Sequence, residues 1–196
     1  MWEGLTSMRN GGGESRVVRF ARNQSAATAV EFAFVAPILI ATLIATLQVA
    51  VIFIAQSYLA VISDATARFV LTNQAINYPS ASFSTKLKTQ LCSYATAMFP
   101  SCSSNMIVSL QPAPATTAGI AAAMPTFDSN GNLKNPVSAA CIAPNTKALL
   151  IVAYQWPVIS GPLGAYFGTL ANGNYLLTAT EVFQTEPPTG SQACAS

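Results

Sequence analysis

The sequence lacks histidine and has few charged residues. None of its 196 residues is histidine and only 8% are Asp, Glu, Lys or Arg, against about 25% in an average soluble domain. The absence of histidine removes the most common general base and the most common metal ligand. No glycine-rich loop follows a strand and opens a helix, and the acidic residues show no pairing motif. The composition therefore predicts a protein that is not an enzyme and has no cofactor or metal site.

Charge is missing completely from one long stretch. Phe32–Ala55 contains no charged residue and one strongly polar side chain, Gln48. As a helix, these 24 residues would span about 36 Å, enough to cross a hydrocarbon core of roughly 30 Å. A buried core helix usually has only about 10–14 apolar residues in a row, and a cleaved secretory signal about 7–15. The stretch therefore predicts a transmembrane helix over about residues 32–55.

The excess positive charge lies before this span. Residues 1–26 contain four arginines and two glutamates, and the charges after position 26 balance. Because positively charged flanks stay in the cytoplasm, the N-terminus is predicted to be cytoplasmic and the C-terminal part to lie across the membrane. Nucleic-acid binding would require a basic face, and the nine basic residues of the chain do not form one in the sequence.

All four cysteines follow the predicted span. They are Cys92, Cys102, Cys141 and Cys194. An even number of cysteines outside the cytoplasm predicts disulfides, and four cysteines allow three connectivities. We favour Cys92–Cys102, which closes a short loop, together with Cys141–Cys194. Metal binding is disfavoured because the chain has no CxxC spacing.

The apolar patterns divide the chain into three parts. Residues 1–26 are predicted as a cytoplasmic basic leader, 27–72 as one long helix, and 73–196 as an α+β domain. Within the domain, the spacing predicts a helix over about residues 82–98. The residues between 111 and 145 predict a long surface connection. Three strands of an antiparallel sheet are predicted at residues 106–110, 147–156 and 175–184.

One acidic residue stands at the edge of the apolar run. Glu31 lies in the string AATAVEFAFVAPILI, one residue before the uncharged stretch. A carboxylate at a membrane boundary costs on the order of 2–3 kcal/mol unless it finds a partner. One interpretation is an interfacial acid near the headgroups, or a residue favoured by the dipole at the helix N-terminus.

The second interpretation comes from a resemblance. The string resembles the processing site of type IV pilins, where a basic leader ends in a small residue that is followed by four residues, a glutamate and an aromatic. The resemblance implies that Ala26 ends the leader, that Ala27 is the mature N-terminus, and that Glu31 and Phe32 are the fifth and sixth mature residues. In that family the carboxylate pairs with the N-terminal amine, often that of a neighbouring subunit, so that each charge offsets the desolvation of the other. The family prefers Gly where this chain has Ala26, so a cleaved and an uncleaved leader both stay open.

Further segments resemble the TadE-like family of tight-adherence (Tad) pilus biogenesis proteins. The opening AVEFAFVAPIL continues into ISDATARFVLTNQ, and two later segments, ALLIVAYQWP and YLLTATEVFQTEP, resemble the family's last two strands. The resemblance implies a minor pilin or assembly protein of a Flp-type pilus, acting in pilus biogenesis and adhesion. It would lie in the bacterial inner membrane with a periplasmic domain, and it could enter the extracellular pilus.

The implied partners are the membrane, other pilin-like subunits, the Tad assembly machinery and a prepilin peptidase. Two alternatives remain open at this stage. One is a pseudopilin of a secretion system, which would share the mechanism but not the partners. The other is a static membrane-anchored periplasmic binding or scaffold module outside any filament, which would need neither cleavage after Ala26 nor a special role for Glu31.

Overall fold

The computed structural model describes residues 24–95, 98–132, 134, 139–158 and 167–187. The chain divides into two compact units, residues 1–46 and 47–196. Residues 1–23 of the predicted basic leader lie outside the described part of the chain. Its last three residues already belong to the first helix. The division into a leader, a helix and a domain at positions 26 and 72 stays a prediction.

The long helix predicted from the apolar run is confirmed. Helix α1 spans Gln24–Leu71, which is 48 residues, and it begins three residues before the predicted start at Ala27. Pro37 lies inside the helix. Because proline has no N–H, the carbonyl of Ala33 loses its usual helical donor. The helix nevertheless continues through this position.

The remaining elements form a small α+β fold, as predicted. They are α2 (Phe83–Ala95), α3 (Cys102–Asn105), β1 (Met106–Pro112), α4 (Thr117–Ala123), β2 (Lys147–Trp156) and β3 (Tyr175–Gln184), with 3₁₀ turns at Gln74–Asn77 and Ser80–Ser82. The strands form one antiparallel sheet in the order β1-β2-β3. Strands β2 and β3 have the predicted bounds, and β1 is two residues longer than predicted.

Helix α4 was not predicted, because its sequence lies in the Pro- and Ala-rich connection. Its N-terminus is capped by Thr116, whose side-chain oxygen accepts a hydrogen bond from the Gly119 N–H at 3.2 Å. Threonine at this position satisfies one of the free N–H groups of the first turn. The connection therefore contains a short capped helix of seven residues.

The sheet shows why the central strand has an unbroken apolar sequence. Every residue of β2 from Ala148 to Tyr154 is buried, as expected for a central strand that is covered on both faces. Strand β3 lies at an edge and alternates instead. Leu177 and Ala179 are buried, whereas Val182 is 60% exposed.

The second part of α1 contributes one face to the core of the domain. Its buried side chains recur every three or four residues, the spacing of one helix face. They include Ile52, Ala55, Leu59, Ile62 and Val70, which join the cluster formed by α2 and the sheet.

A disulfide and an aromatic cluster stabilise the region between α2 and β1. The predicted disulfide Cys92–Cys102 is confirmed, and it links α2 to α3. Phe99 lies between the two cysteines in sequence and contacts the ring of Tyr154, with ring centroids 4.8 Å apart. Cys194 lies outside the described residues, so the predicted pair Cys141–Cys194 stays a prediction.

Candidate assembly site on the N-terminal helix

The first part of α1 exposes large apolar side chains. Between Val30 and Leu47, the exposed fractions of the large apolar side chains run from 40% at Ile44 to 74% at Phe34. A soluble protein rarely exposes so large a contiguous apolar surface. Among the described residues, α1 is the one helix that is long and apolar enough to cross a membrane.

Two threonine hydroxyls in this region donate hydrogen bonds to backbone carbonyls of the same helix. The hydroxyl of Thr42 donates to the Leu39 carbonyl at 2.8 Å, and that of Thr46 donates to the Leu43 carbonyl at 2.9 Å. These internal bonds reduce the cost of placing a hydroxyl in an apolar medium. The threonines therefore leave the apolar character of this part of the helix intact.

Glu31 is the one charged residue of the helix between Thr28 and Leu47. It is exposed, and the neighbouring Phe32 is 71% exposed. Glu31 makes no ion pair within the described part of the chain.

The backbone places the predicted processing site one turn before Glu31. Ala26 and Ala27 lie in α1, and Ala27 precedes Glu31 by four residues, a rise of about 6 Å along the helix. Residues spaced by four share one face of a helix. A free amine at Ala27 would therefore lie on the same face as the Glu31 carboxylate.

The polar residue within the predicted span is buried. Gln48 has an exposed fraction of 8%, and Ile52 and Ala55 also belong to the buried residues of the compact unit 47–196. The sequence analysis did not predict this burial, because apolar residues are equally suited to lipid and to a protein core. The three- to four-residue spacing of positions 48, 52, 55 and 59 is the pattern that could have indicated one buried helix face.

One ion pair on α1 lies well beyond its exposed apolar part. The Arg68 Nε donates to the Asp64 carboxylate at 2.9 Å, and both side chains are largely exposed. The two residues are four positions apart on α1, so their side chains lie on the same helix face. An exposed pair of this kind contributes only about 0.3–0.5 kcal/mol to the stability of the helix. We therefore do not include it in the candidate assembly site.

The fold and the site together define a small α+β protein with one candidate membrane helix and a single carboxylate near its start. The family model described as TadE-like protein matches residues 26–68. This match begins at the predicted leader end, includes Glu31, and supports the assignment of the chain to the TadE-like family. It suggests a protein associated with the Tad pilus. No curated protein and no solved structure shows a significant match to the chain.

Proposed function

We propose that the protein is a minor pilin or pilus assembly protein of a Tad (Flp-type) pilus, anchored in the bacterial inner membrane by α1. The observation that carries the proposal is a single carboxylate, Glu31, in an otherwise uncharged and exposed apolar helix segment within the TadE-like match. A structural role in a filament or at its base requires no catalytic residues, and we propose none.

The lipid-exposed segment is best placed at Thr28–Leu47. These 20 residues span about 30 Å as a helix, the thickness of a bilayer hydrocarbon core. Ile52 and Ala55 are buried in the same core as the sheet, so the helix beyond Leu47 is already partly covered by the domain. Compared with the uncharged stretch Phe32–Ala55, this placement begins four residues earlier, includes Glu31, and ends eight residues earlier.

The orientation follows from charge and redox chemistry. The basic residues before position 27 favour a cytoplasmic N-terminus. The disulfide Cys92–Cys102 favours an oxidising compartment, which in a bacterium is the periplasm. Both arguments support a periplasmic location for the α+β domain.

Lateral contacts with other subunits would use the uncovered face of α1. Phe53, Ile54 and Val61 are 56–68% exposed, and together with Ser57 and Tyr58 they line a groove of about 420 Å³. Exposed apolar side chains of this size favour a protein partner. The helices of other pilin-like subunits are the proposed partners of this surface.

Deletion of the gene tests the proposal directly. We expect cells that lack the protein to have no Tad pili on their surface, and we expect the full chain supplied in trans to restore them. Pili are counted by electron microscopy of cells and by the amount of major pilin in sheared fractions. Normal piliation in the deletion strain would contradict the proposal and favour the static anchored module.

The state of the N-terminus separates a processed pilin-like subunit from an uncleaved anchor. If a prepilin peptidase cleaves after Ala26, sequencing of protein from the native membrane should yield a chain that starts at Ala27. We also expect Ala26→Gly to increase the processed fraction, since glycine is the residue preferred by this peptidase class. A chain that still begins at Met1 in both variants would rule out processing.

A further inference from the structure

A polar cleft is lined by α2, by α3 and the start of β1, and by the loop that contains Asn130–Asn132. Its volume is about 780 Å³, within the range of roughly 300–1,000 Å³ that is usual for small-molecule sites. Nine of the fourteen described residues that line it have a hydroxyl or amide side chain. None of the described lining residues is acidic or aromatic. The cleft is therefore a candidate site for a polar ligand.

One wall of the cleft is held in place by hydrogen bonds within the protein. The side-chain amide of Gln155 donates to the Gly131 carbonyl at 2.7 Å, and that of Asn172 donates to the Gln155 side-chain oxygen at 3.1 Å. Gly131 has a φ of +78°, and a side chain at this position would collide with Asn172. Because these contacts order the wall, a ligand would lose less affinity to the ordering of protein groups.

Several lining side chains keep their full hydrogen-bonding capacity. Within the described part of the chain, no hydrogen bond reaches the side chains of Ser84, Thr85, Ser103 or Asn130, all of which line the cleft. A hydroxyl both donates and accepts, and an asparagine amide offers two donors and one acceptor oxygen. A sugar requires such a mixed set, because each of its hydroxyls also donates and accepts.

Lys88 gives the cleft a positive charge. It is the one basic residue among the described lining residues, and partial burial lowers the pKa of its ammonium group, because removal from water disfavours the charged form. The acid of the neighbouring loop, Asp128, is already engaged, since its carboxylate accepts from the N–H groups of Asn130 and Asn132 at 2.8 and 2.9 Å. Within the described residues, Lys88 has no carboxylate partner.

We propose that the cleft binds a carboxylate-bearing oligosaccharide, with a sugar carboxylate on Lys88 and sugar hydroxyls on the surrounding amides and hydroxyls. A carboxylate on an ammonium group forms a charge-assisted hydrogen bond, which is stronger than a bond between neutral groups. Such sugars have two sources outside the cytoplasm, namely the cell-wall glycan, which contains muramic acid, and surface polysaccharides that contain uronic acids. The inference goes beyond the proposed role in pilus assembly, and it uses neither Glu31 nor the membrane role of α1.

The lining disfavours other classes of ligand. A divalent cation such as Ca²⁺ is usually held by carboxylates, and no acid is among the described lining residues. A hydrophobic ligand would leave the lining amides and hydroxyls without hydrogen bonds, which lowers affinity. A phosphate monoester carries roughly two negative charges, whereas one cation is among the described lining residues. An oligosaccharide with one acid group matches both the polar lining and the charge.

The experiment measures the binding of defined acidic sugars to the full chain in detergent micelles by isothermal titration calorimetry. The probes are trigalacturonate, for surface polysaccharides, and the disaccharide of N-acetylglucosamine and N-acetylmuramic acid, for the cell wall. Each acid is compared with its methyl ester, which keeps the sugar hydroxyls but removes the negative charge. We expect at least one acid to bind, and we expect its ester to bind about tenfold more weakly, as is typical for loss of a charge-assisted hydrogen bond. The acid that binds more tightly identifies the source.

Two substitutions in the cleft separate the charge from the hydroxyl contacts. Lys88→Gln should remove the preference for the acid over its ester. Lys86→Gln is the matched control, because Lys86 is exposed on the same helix and is not among the lining residues, so this variant should retain the preference. Asn130→Ala should weaken the acid and the ester by the same factor, about threefold to tenfold, because its amide contacts hydroxyls in both.

Three results would overturn the proposal. They are no binding of either acid, equal binding of an acid and its ester to the unchanged protein, and a preference for the acid that persists in Lys88→Gln. Circular dichroism of each variant shows whether it is folded, and the comparison of acid with ester is made on the unchanged chain and needs no variant. Because the experiment does not measure piliation, its failure would leave the proposed role in pilus assembly untouched.

Discussion

Replacing Glu31 with alanine should reduce the number of surface pili by about tenfold or more, because an amine that enters lipid without a partner carries its full desolvation cost. In the proposed assembly, the carboxylate of Glu31 neutralises the amine of a mature Ala27, from its own chain or from a neighbour. Glu31→Gln should have the same effect, since glutamine keeps the size but not the charge. Pili are measured by electron microscopy, and the protein in the membrane fraction by immunoblot.

The amount of protein in the membrane should not change in these variants. Removing a carboxylate makes the helix more apolar, so insertion should be at least as favourable. Asp64→Asn is the matched control, because Asp64 is also an acid on α1 but its ion pair with Arg68 is exposed. We expect normal pili in that control. Normal pili in the Glu31→Ala strain, or loss of the variant from the membrane, would contradict the assigned role of Glu31.

Replacing Phe99 with alanine should lower the free energy of unfolding of the α+β domain by about 3–5 kcal/mol, the usual cost of deleting a buried aromatic side chain. Phe99 is only 2% exposed. Its ring centroid lies 4.8 Å from that of Tyr154, 6.0 Å from that of Tyr58 and 6.1 Å from that of Trp156. The substitution removes all three ring contacts and leaves a cavity between α1 and the sheet.

The measurement is denaturant unfolding of the full chain in detergent micelles, followed by far-ultraviolet circular dichroism. Val182→Ala is the control, because Val182 lies on the same sheet but is 60% exposed. It should change stability by no more than about 0.5 kcal/mol. A loss of under about 1 kcal/mol in Phe99→Ala would show that the aromatic cluster is not a major part of the core.

Several elements could be predicted because their signals are local. The uncharged run predicted α1, and alternation predicted β3, since a strand that is buried on one face needs a two-residue period. Strand β2 was predicted from its run of β-branched and aromatic residues. The disulfide Cys92–Cys102 could be favoured because a short separation makes the pair easy to close.

Other features had no local signal. Helix α4 consists mostly of small residues, and Thr116 caps its N-terminus. The cleft near Lys88 combines residues from α2, β1 and two distant loops. Such a site exists only after the chain has folded, because its members are separated by up to 88 positions in the sequence.

One long apolar helix, an α+β domain after it, and an acid at the start of the helix could all be predicted from composition and periodicity, which are properties of the chain alone. The identity of the α1 residues that join the protein core could not be predicted in this way, because it depends on which surfaces the fold brings against the helix. Ile52 and Phe53 illustrate this, since they are neighbours of equal apolar character, yet one is 7% exposed and the other 68%. The burial of a residue depends on the surfaces that the fold places beside it, and the chemistry of the residue does not specify those surfaces.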